Sequence, residues 1–314
     1  MKKILALLLF AVIGLTACSV SETPAVTASE TVTVITDREG NPIKVPTEID
    51  RILTLAPSIT QTAQSMGFSE MIVGIDSYSE EYLLEPLPSV AIFDLQNPDN
   101  ESILTLEPDI IFVPGISMVE GANPYQPLID AGICIAVIPS ATSLEGIMLD
   151  IEFFAECMGT PEKADVIVEK MKADIAEIKA IGDTIKNKKT VLFEISALPY
   201  IYSFGSGTFL DEMITLIGAE NVFGDEISWI PVTEEAAIAA NPDVILTSIY
   251  YIDDPEGEIL SRAGWEAVTA IKDRAVHKFE SRQTDVPNQY VIEALYEMAK
   301  FVYPEEYANV EYKK

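Results

Sequence analysis

His277 is the only histidine in 314 residues, and that count alone removes several kinds of chemistry. A site that grips free zinc or manganese through several imidazoles cannot be assembled. A Ser-His-Asp relay would have to run through His277, and no Gly-x-Ser-x-Gly elbow supplies its serine. No Walker-type phosphate loop occurs. His277 sits in the alternating run Val276-His277-Lys278-Phe279 and reads as a solvent-facing strand position. The turn Gly205-Ser206-Gly207 precedes a helical stretch. Its amides could cradle an anion, or the glycines could simply allow a tight connection. Asp and Glu total 50 against 20 Lys and Arg, so carboxylate pairs are everywhere and none marks a general acid–base couple. No catalytic group and no metal-ligand set emerges. The chemistry left is recognition: binding a solute without transforming it, between lobes where clefts form.

The thiols divide into two kinds. Cys134, in Ile133-Cys134-Ile135, and Cys157, in a helix-like run, read as buried small hydrophobes rather than a disulfide. Cys18 is different. Lys2 and Lys3 precede an apolar run from Ile4 to Leu15, too short for a spanning helix of about 20 residues and typical of an export signal. The run ends Leu15-Thr16-Ala17-Cys18, which resembles the lipobox of bacterial lipoproteins. That resemblance implies a signal peptide over 1–17 and a lipid on Cys18. Residues 18–30, rich in Ser, Thr, Glu and Pro, then form a flexible tether. The chain is expected outside the cytoplasm, in the periplasm or on the outer face of the cell membrane, touching that membrane through its lipid alone. The net charge of −30 is spread along the chain and excludes nucleic acid as a partner.

The elements that must position a binding site alternate strand and helix. Apolar runs at Ile52–Leu55, Met71–Ile75, Asp109–Val113 and Ile133–Ile138 read as parallel strands buried on both faces. From Pro161 to about Asn187, Ala164, Ile167, Met171, Ile175, Ile178, Ile181 and Ile185 recur at three- and four-residue steps. This predicts a long amphipathic helix with proline in its first turn. Strands at Thr190–Ile195, Asp243–Thr247 and Val276–Phe279 follow, with helices near 208–217 and 286–302. The spacing predicts an α/β chain of two lobes, 31–160 and 189–314, joined by the helix 161–188. The halves also repeat one unit. Glu101 stands seven residues before Pro108-Asp109, Glu235 stands seven before Pro242-Asp243, and each Pro-Asp opens an apolar strand.

Arg51-Ile-Leu-Thr-Leu-Ala-Pro-Ser58-Ile-Thr resembles the first strand of the iron-siderophore and cobalamin class of ABC-importer binding proteins. So do Ile72-Val-Gly-Ile-Asp76-Ser-Tyr78, the two Glu-to-Pro-Asp units and Gly218-Ala-Glu-Asn221-Val-Phe. The resemblance covers nearly the whole chain after the tether. It implies the class III solute-binding arrangement: two Rossmann-like lobes with parallel-rich sheets joined by a single long α-helix, and a ligand in the shallow cleft between them. It implies docking on an ABC permease, served by its ATPase, through Glu101 and Glu235; each glutamate would equally suit the dipole of a helix's first turn. It implies a monomer with no resident cofactor. By position, Pro57, Ser58, Ser77, Tyr78 and Phe93 face the cleft from the first lobe, and Tyr202, Ser203, Trp229, Tyr250 and Arg282 from the second. Trp229 could stack on a corrin or chelate face, or serve as an interlobe core residue.

Arg282 is the only basic residue placed in that cleft. Anionic catecholate chelates need several paired cations. A near-neutral chelate is therefore favoured: a hydroxamate-type ferric siderophore, a corrinoid or a haem-like ring. Two other readings stay open, an extracytoplasmic α/β enzyme acting on a small molecule and a surface lipoprotein with an adhesive role.

Overall fold

The computed structural model describes residues 32–313 apart from 96, 116–122, 280 and 281. The leader, Cys18 and the tether lie outside the described residues. An antiparallel hairpin opens the described chain: β1 (Val32–Thr36) pairs with β2 (Pro42–Pro46). The first lobe is then built on β3 (Ile52–Thr54), α1 (Pro57–Ser65), β4 (Ile72–Asp76), β5 (Ala91–Phe93), α2 (Asn100–Thr105), β6 (Ile110–Pro114), α3 (Gln126–Asp130), β7 (Cys134–Ile138) and α4 (Leu144–Cys157). Its five strands are parallel in the order β5-β4-β3-β6-β7. The first strand is thus central and the order reverses beside it, as in a Rossmann sheet. Every residue of β6 and β7 is buried, which explains their unbroken apolar runs.

Pro161 opens the connecting helix α5 (Pro161–Gly182), where its missing amide proton costs nothing. Ala164, Val168, Met171 and Ile178 bury one stripe of it, while Lys170–Asp174 and Lys179–Asp183 ion pairs lie toward solvent. The helix ends about five residues before the predicted limit. At Gly182 it crosses the turn after the next helix so closely that a Cβ would lie 2.1 Å from the Leu216 carbonyl oxygen. Only glycine fits that crossing.

The second lobe runs β8 (Thr190–Glu194), β9 (Ile201–Phe204), α6 (Phe209–Leu216), β10 (Glu220–Asn221), β11 (Trp229–Val232), α7 (Glu234–Ala240), β12 (Val244–Thr247), α8 (Pro255–Leu260), α9 (Thr269–Lys272), β13 (Val276–Lys278) and α10 (Val291–Val302). Four strands are parallel in the order β10-β8-β12-β13, and β9 pairs antiparallel with β11. The two sheets are separate, yet one apolar cluster runs from Ile52 and Phe112 through Val168 and Ile178 of α5 to Phe193, Leu295 and Tyr307. The Tyr307 hydroxyl ties the strut to the second lobe, 3.2 Å from the Ile178 carbonyl and 3.1 Å from that of Ile217.

The internal repeat is a repeat of backbone conformation. Asp99 caps α2 and Thr233 caps α7, each by accepting from a backbone amide at 3.2 Å. Both units leave their helix through a left-handed residue directly before the proline, Glu107 at φ 47° and Asn241 at φ 46°. The aspartate after that proline then clamps the start of the lobe's first strand. Asp109 Oδ2 accepts from the amides of Asp50 and Arg51 at 2.8 Å, and Asp243 Oδ2 accepts from the amide of Thr190 at 2.8 Å.

Two local expectations change, and the choice left open at the Gly205-Ser206-Gly207 turn is decided. His277 is half-buried, its ring stacked on Phe301 at 4.9 Å, and burial pulls its pKa below the ordinary value. It is not solvent-facing, because α10 covers that face of β13. The Gly205 and Ser206 amides donate to the carbonyls of Ser228 and Glu226 at 2.8 Å, so the turn is a tight connection and not an anion cradle. The hairpin β1–β2 and the β9–β11 pair are additions to the predicted elements. Cys134 and Cys157 are buried free thiols, and burial pushes Cys134 up to about 12.

Candidate functional site

In parallel sheets, ligands collect beyond the carboxyl ends of the strands, at the point where strand order reverses. Here the carboxyl edges of the two sheets meet each other. The segment 77–85 follows β4, Tyr250 follows β12, and Arg282 follows β13. Arg282 Nη1 lies 2.7 Å from Glu81 Oε2, and its guanidinium carbon lies 4.2 Å from the Tyr82 ring centroid and 3.7 Å from that of Tyr250. Asp285 Oδ2 stands 3.7 Å from Arg282 Nε and accepts from the Tyr82 hydroxyl at 3.3 Å. Burial, with the neighbouring Asp285 charge, pushes the Tyr82 phenol above its ordinary pKa, so it stays a donor.

Beneath this junction the lobes are joined by buried amides. Asn288 Nδ2 donates to Gln61 Oε1 at 2.5 Å, and Gln289 Nε2 donates to Ser65 Oγ at 2.7 Å. Other α1 amides pin the 82–85 segment: Gln61 Nε2 donates to the Tyr82 carbonyl at 2.6 Å and Gln64 Nε2 to that of Glu85 at 2.9 Å. Pro57 and Ser58 are half-buried at the head of α1, and Ser58, Thr62 and Pro287 line a small cavity of about 20 Å³.

The wall of the first lobe is a turn built on Asp76. This fully buried carboxylate accepts from the amides of Tyr78 (2.9 Å) and Ser79 (3.2 Å) and from the Ser79 hydroxyl, and burial raises its pKa. Ser79 in turn meets Thr60 at 3.1 Å, and Thr60 meets Thr54 at 2.8 Å. The turn presents Ser77 and Tyr78 outward, Tyr78 being 67 % exposed. The wall of the second lobe is the β9–β11 pair and the loop after β12. Trp229, 42 % exposed, rests edge-on against Phe204 and Phe209 at 5.8 and 6.5 Å. Tyr202 and Tyr250 are exposed, and the Tyr251 hydroxyl accepts from the Ala197 amide at 2.9 Å.

A buried ion cluster fixes this second wall. Glu194, the last residue of β8, accepts from Arg262 Nη1 at 2.7 Å and Nη2 at 2.9 Å, and Arg262 also bonds Glu258 at 2.7 Å. Burial alone would lower the Arg262 pKa, but the bonds from Glu258 and Glu194 outweigh it and hold it above normal. The Glu194 carbonyl accepts from the Thr247 hydroxyl at 3.0 Å, which ties the end of β8 to the strand that leads into Tyr250.

The structure thus brings Pro57, Ser58, Ser77, Tyr78, Tyr202, Trp229, Tyr250 and Arg282 to the facing carboxyl edges. Phe93 and Ser203 are corrections. Phe93 is 6 % exposed and lies over Gly74, where a Cβ would come within 2.8 Å of its ring. Ser203 is 0 % exposed. Each sits one strand position from an exposed neighbour, Ile92 and Tyr202, and the period of two turns it inward. Sequence reasoning passed over Gln61, Gln64, Glu81, Tyr82, Asp285 and Asn288. Its one available signal was α1 itself, too rich in Thr and Gln to serve an apolar core. Glu101 and Glu235 are exposed in the first turns of α2 and α7.

Other cavities lie away from these edges. One of about 640 Å³, lined by Glu48, Asp50, Met71 and Met158, borders the amino ends of β3 and β4. Among the described residues no group of three His, Cys, Asp or Glu side chains is placed to hold a metal. No described helix is long and apolar enough to cross a membrane.

Two α/β lobes on a single helical strut, their strand carboxyl ends facing each other near exposed Tyr78 and Tyr250, have the arrangement of a two-lobed solute-binding protein. The chain belongs to the periplasmic binding protein family, whose sequence profile matches residues 52–282. It is 30% identical over 274 residues to the uncharacterized ABC transporter substrate-binding lipoprotein YvrC of Bacillus subtilis, covering 86% of this chain and 85% of that one. It is 29% identical over 203 residues to a vitamin B12-binding protein of Yersinia pestis, covering 63% of this chain and 69% of that one. A periplasmic solute binding protein from Veillonella parvula superposes with a TM-score of 0.73 at 24% identity, over 89% of each chain. These relatives are named as binding proteins and not as enzymes.

Proposed function

We propose that this chain captures a metal-chelate nutrient, a ferric siderophore, a corrinoid or a haem, in the groove between its lobes and delivers it to an ABC permease and its ATPase. The observation that carries this reading is the meeting of two sheet carboxyl edges around exposed Tyr78, Tyr202, Trp229 and Tyr250. Flat aromatic surfaces that remain open to solvent suit the face of a large macrocycle or chelate. The similarity to YvrC and to the B12-binding protein supports both the importer and the chelate class. Glu101 and Glu235, in matched units of the two lobes, are the proposed contacts with the permease. Cys18 is the proposed lipid anchor on the extracytoplasmic face, and the working form is a monomer.

A thermal-shift and tryptophan-fluorescence screen against ferric hydroxamates, ferric catecholates, haem and corrinoids tests the reading. A true ligand at about 100 times its Kd adds roughly 2.7 kcal/mol of stability. A protein stabilised by none of these chelates does not have this function. Replacing Cys18 by Ser should move the protein from the membrane fraction to the soluble one, and retention on membranes removes the anchor assignment.

A further inference from the structure

The cations of the groove are already spoken for. Among the described residues, the basic side chains at the carboxyl edges are Arg38 and Arg282, since Lys278 ends β13 on the face that α8 covers. Arg38 pairs with Asp150 at 2.7 Å. Arg282 is engaged at both terminal nitrogens, by Glu81 at Nη1 and the Tyr82 hydroxyl at Nη2, with the rings of Tyr82 and Tyr250 against the guanidinium; Asp285 lies 3.7 Å from Nε, which is buried and makes no hydrogen bond. With a carboxylate on one terminal nitrogen and a second one nearby, the guanidinium's charge is largely offset, which weakens its pull on a ligand carboxylate or phenolate. Glu81 and Asp285 stand beside it, and the Glu81 side chain is 63% exposed, so its charge meets anything that enters.

We propose that Glu81 sets the charge specificity of the groove. By binding Arg282 it withholds the central cation and turns the site against anionic chelates. This rests on the reading of the groove as the solute site. The ligand class that follows is a macrocyclic or polycyclic metal chelate of zero or positive net charge, lying against Tyr78, Trp229 and Tyr250. A corrinoid meets that description. A haem with two carboxylates, or a ferric tris-catecholate with three negative charges, does not.

The test titrates the purified protein and its Glu81→Gln variant with cyanocobalamin, dicyanocobinamide, haemin and a ferric tris-catecholate, by tryptophan quenching and calorimetry. The wild-type protein should bind a corrinoid at least about tenfold more tightly than either anionic chelate, the scale of one screened charge contact near a surface. Higher salt should narrow that gap. Glu81→Gln should raise affinity for the anionic chelates about fivefold or more and leave the corrinoid within about twofold. Glu81 is exposed, so the variant should fold, which its circular dichroism and Tm will show. Equal or tighter binding of haemin or the catecholate by the wild-type protein overturns the inference. So does a Glu81→Gln variant with an unchanged preference. If no chelate of any charge binds, the solute-site reading itself has failed and this inference goes with it, an outcome distinct from binding the wrong charge.

Discussion

Arg262→Met is the substitution for which the structure gives the sharpest expectation. Arg262 and Glu194 are 2 % and 0 % exposed at their side chains and share two hydrogen bonds of 2.7 and 2.9 Å. Methionine keeps an unbranched apolar stem but lacks the guanidinium and its charge, which strands the Glu194 carboxylate in the sheet. Breaking one partner of a buried pair costs about 3–5 kcal/mol, most of it the uncompensated charge. Burial raises the Glu194 pKa already, with Arg262 opposing, so losing Arg262 raises it further. A raised folded-state pKa contributes stability below the unfolded value and loses it as pH rises. The variant should therefore be hurt most at pH 8 and least near pH 5, where Glu194 can take a proton. Adding Glu194→Gln should recover roughly 2 kcal/mol at pH 8 by removing the stranded charge. Urea unfolding followed by circular dichroism at both pH values measures this. The reasoning is refuted if Arg262→Met costs under about 1 kcal/mol at pH 8, or if the double variant is no more stable than the single. Because the Glu194 carbonyl holds Thr247, the single variant should also weaken solute binding through the Tyr250 loop.

Other expectations are equally concrete. Burial lifts Asp150 to about 6 from an ordinary 3.8, with Arg38 opposing. Its favourable contribution is present below about pH 4 and lost as pH rises through 6. Asp150→Asn should therefore gain on the wild type by about 2 kcal/mol between pH 4 and 7, and a flat difference in unfolding free energy across that range contradicts it. Asp109→Ala and Asp243→Ala should each cost about 1–3 kcal/mol in chemical denaturation, and the double variant their sum within about 0.5 kcal/mol. A clearly non-additive result would break the equivalence of the two clamps. Changing Glu101 and Glu235 together to Ala should leave solute affinity intact and abolish uptake by cells, whereas persistent uptake rules out their docking role. Trp229→Ala should weaken solute binding about tenfold in calorimetry, and unchanged affinity removes the indole from the groove.

The parallel strands were legible because they are buried on both faces and so read as unbroken apolar runs, Ile110–Pro114 above all. The strut was legible from Pro161 and the spacing of Ala164, Met171 and Ile178, but its end was not, since Gly182 stops it through a contact with a carbonyl of another helix. Short elements with mixed exposure left weaker traces: in β1 and β2 no apolar run exceeds two residues, and β9 alternates Tyr202 outward between inward neighbours. In the site, residue type located Arg282 and the exposed aromatics. The partners that define Arg282, Glu81 and Tyr82, lie 201 and 200 residues away and carry no local signature. Phe93 and Ser203 were misplaced by a single strand position, the smallest error that reverses a side chain's direction.

The amide bonds between α1 and the segment before α10 bear on how the groove fills and empties. Asn288 with Gln61, and Gln289 with Ser65, sit in the seam under the groove, and all but Ser65 are buried. Prising the lobes apart like jaws would exchange these bonds for bonds to water, at about 0.5–1.5 kcal/mol each, and would wet the apolar surface packed around them. The upper lip is freer, since the exposed side chains of Tyr78, Trp229 and Tyr250 can turn on their own side-chain bonds. A machine that needs to unload such a carrier must grasp both halves and supply the work of splitting that seam from outside.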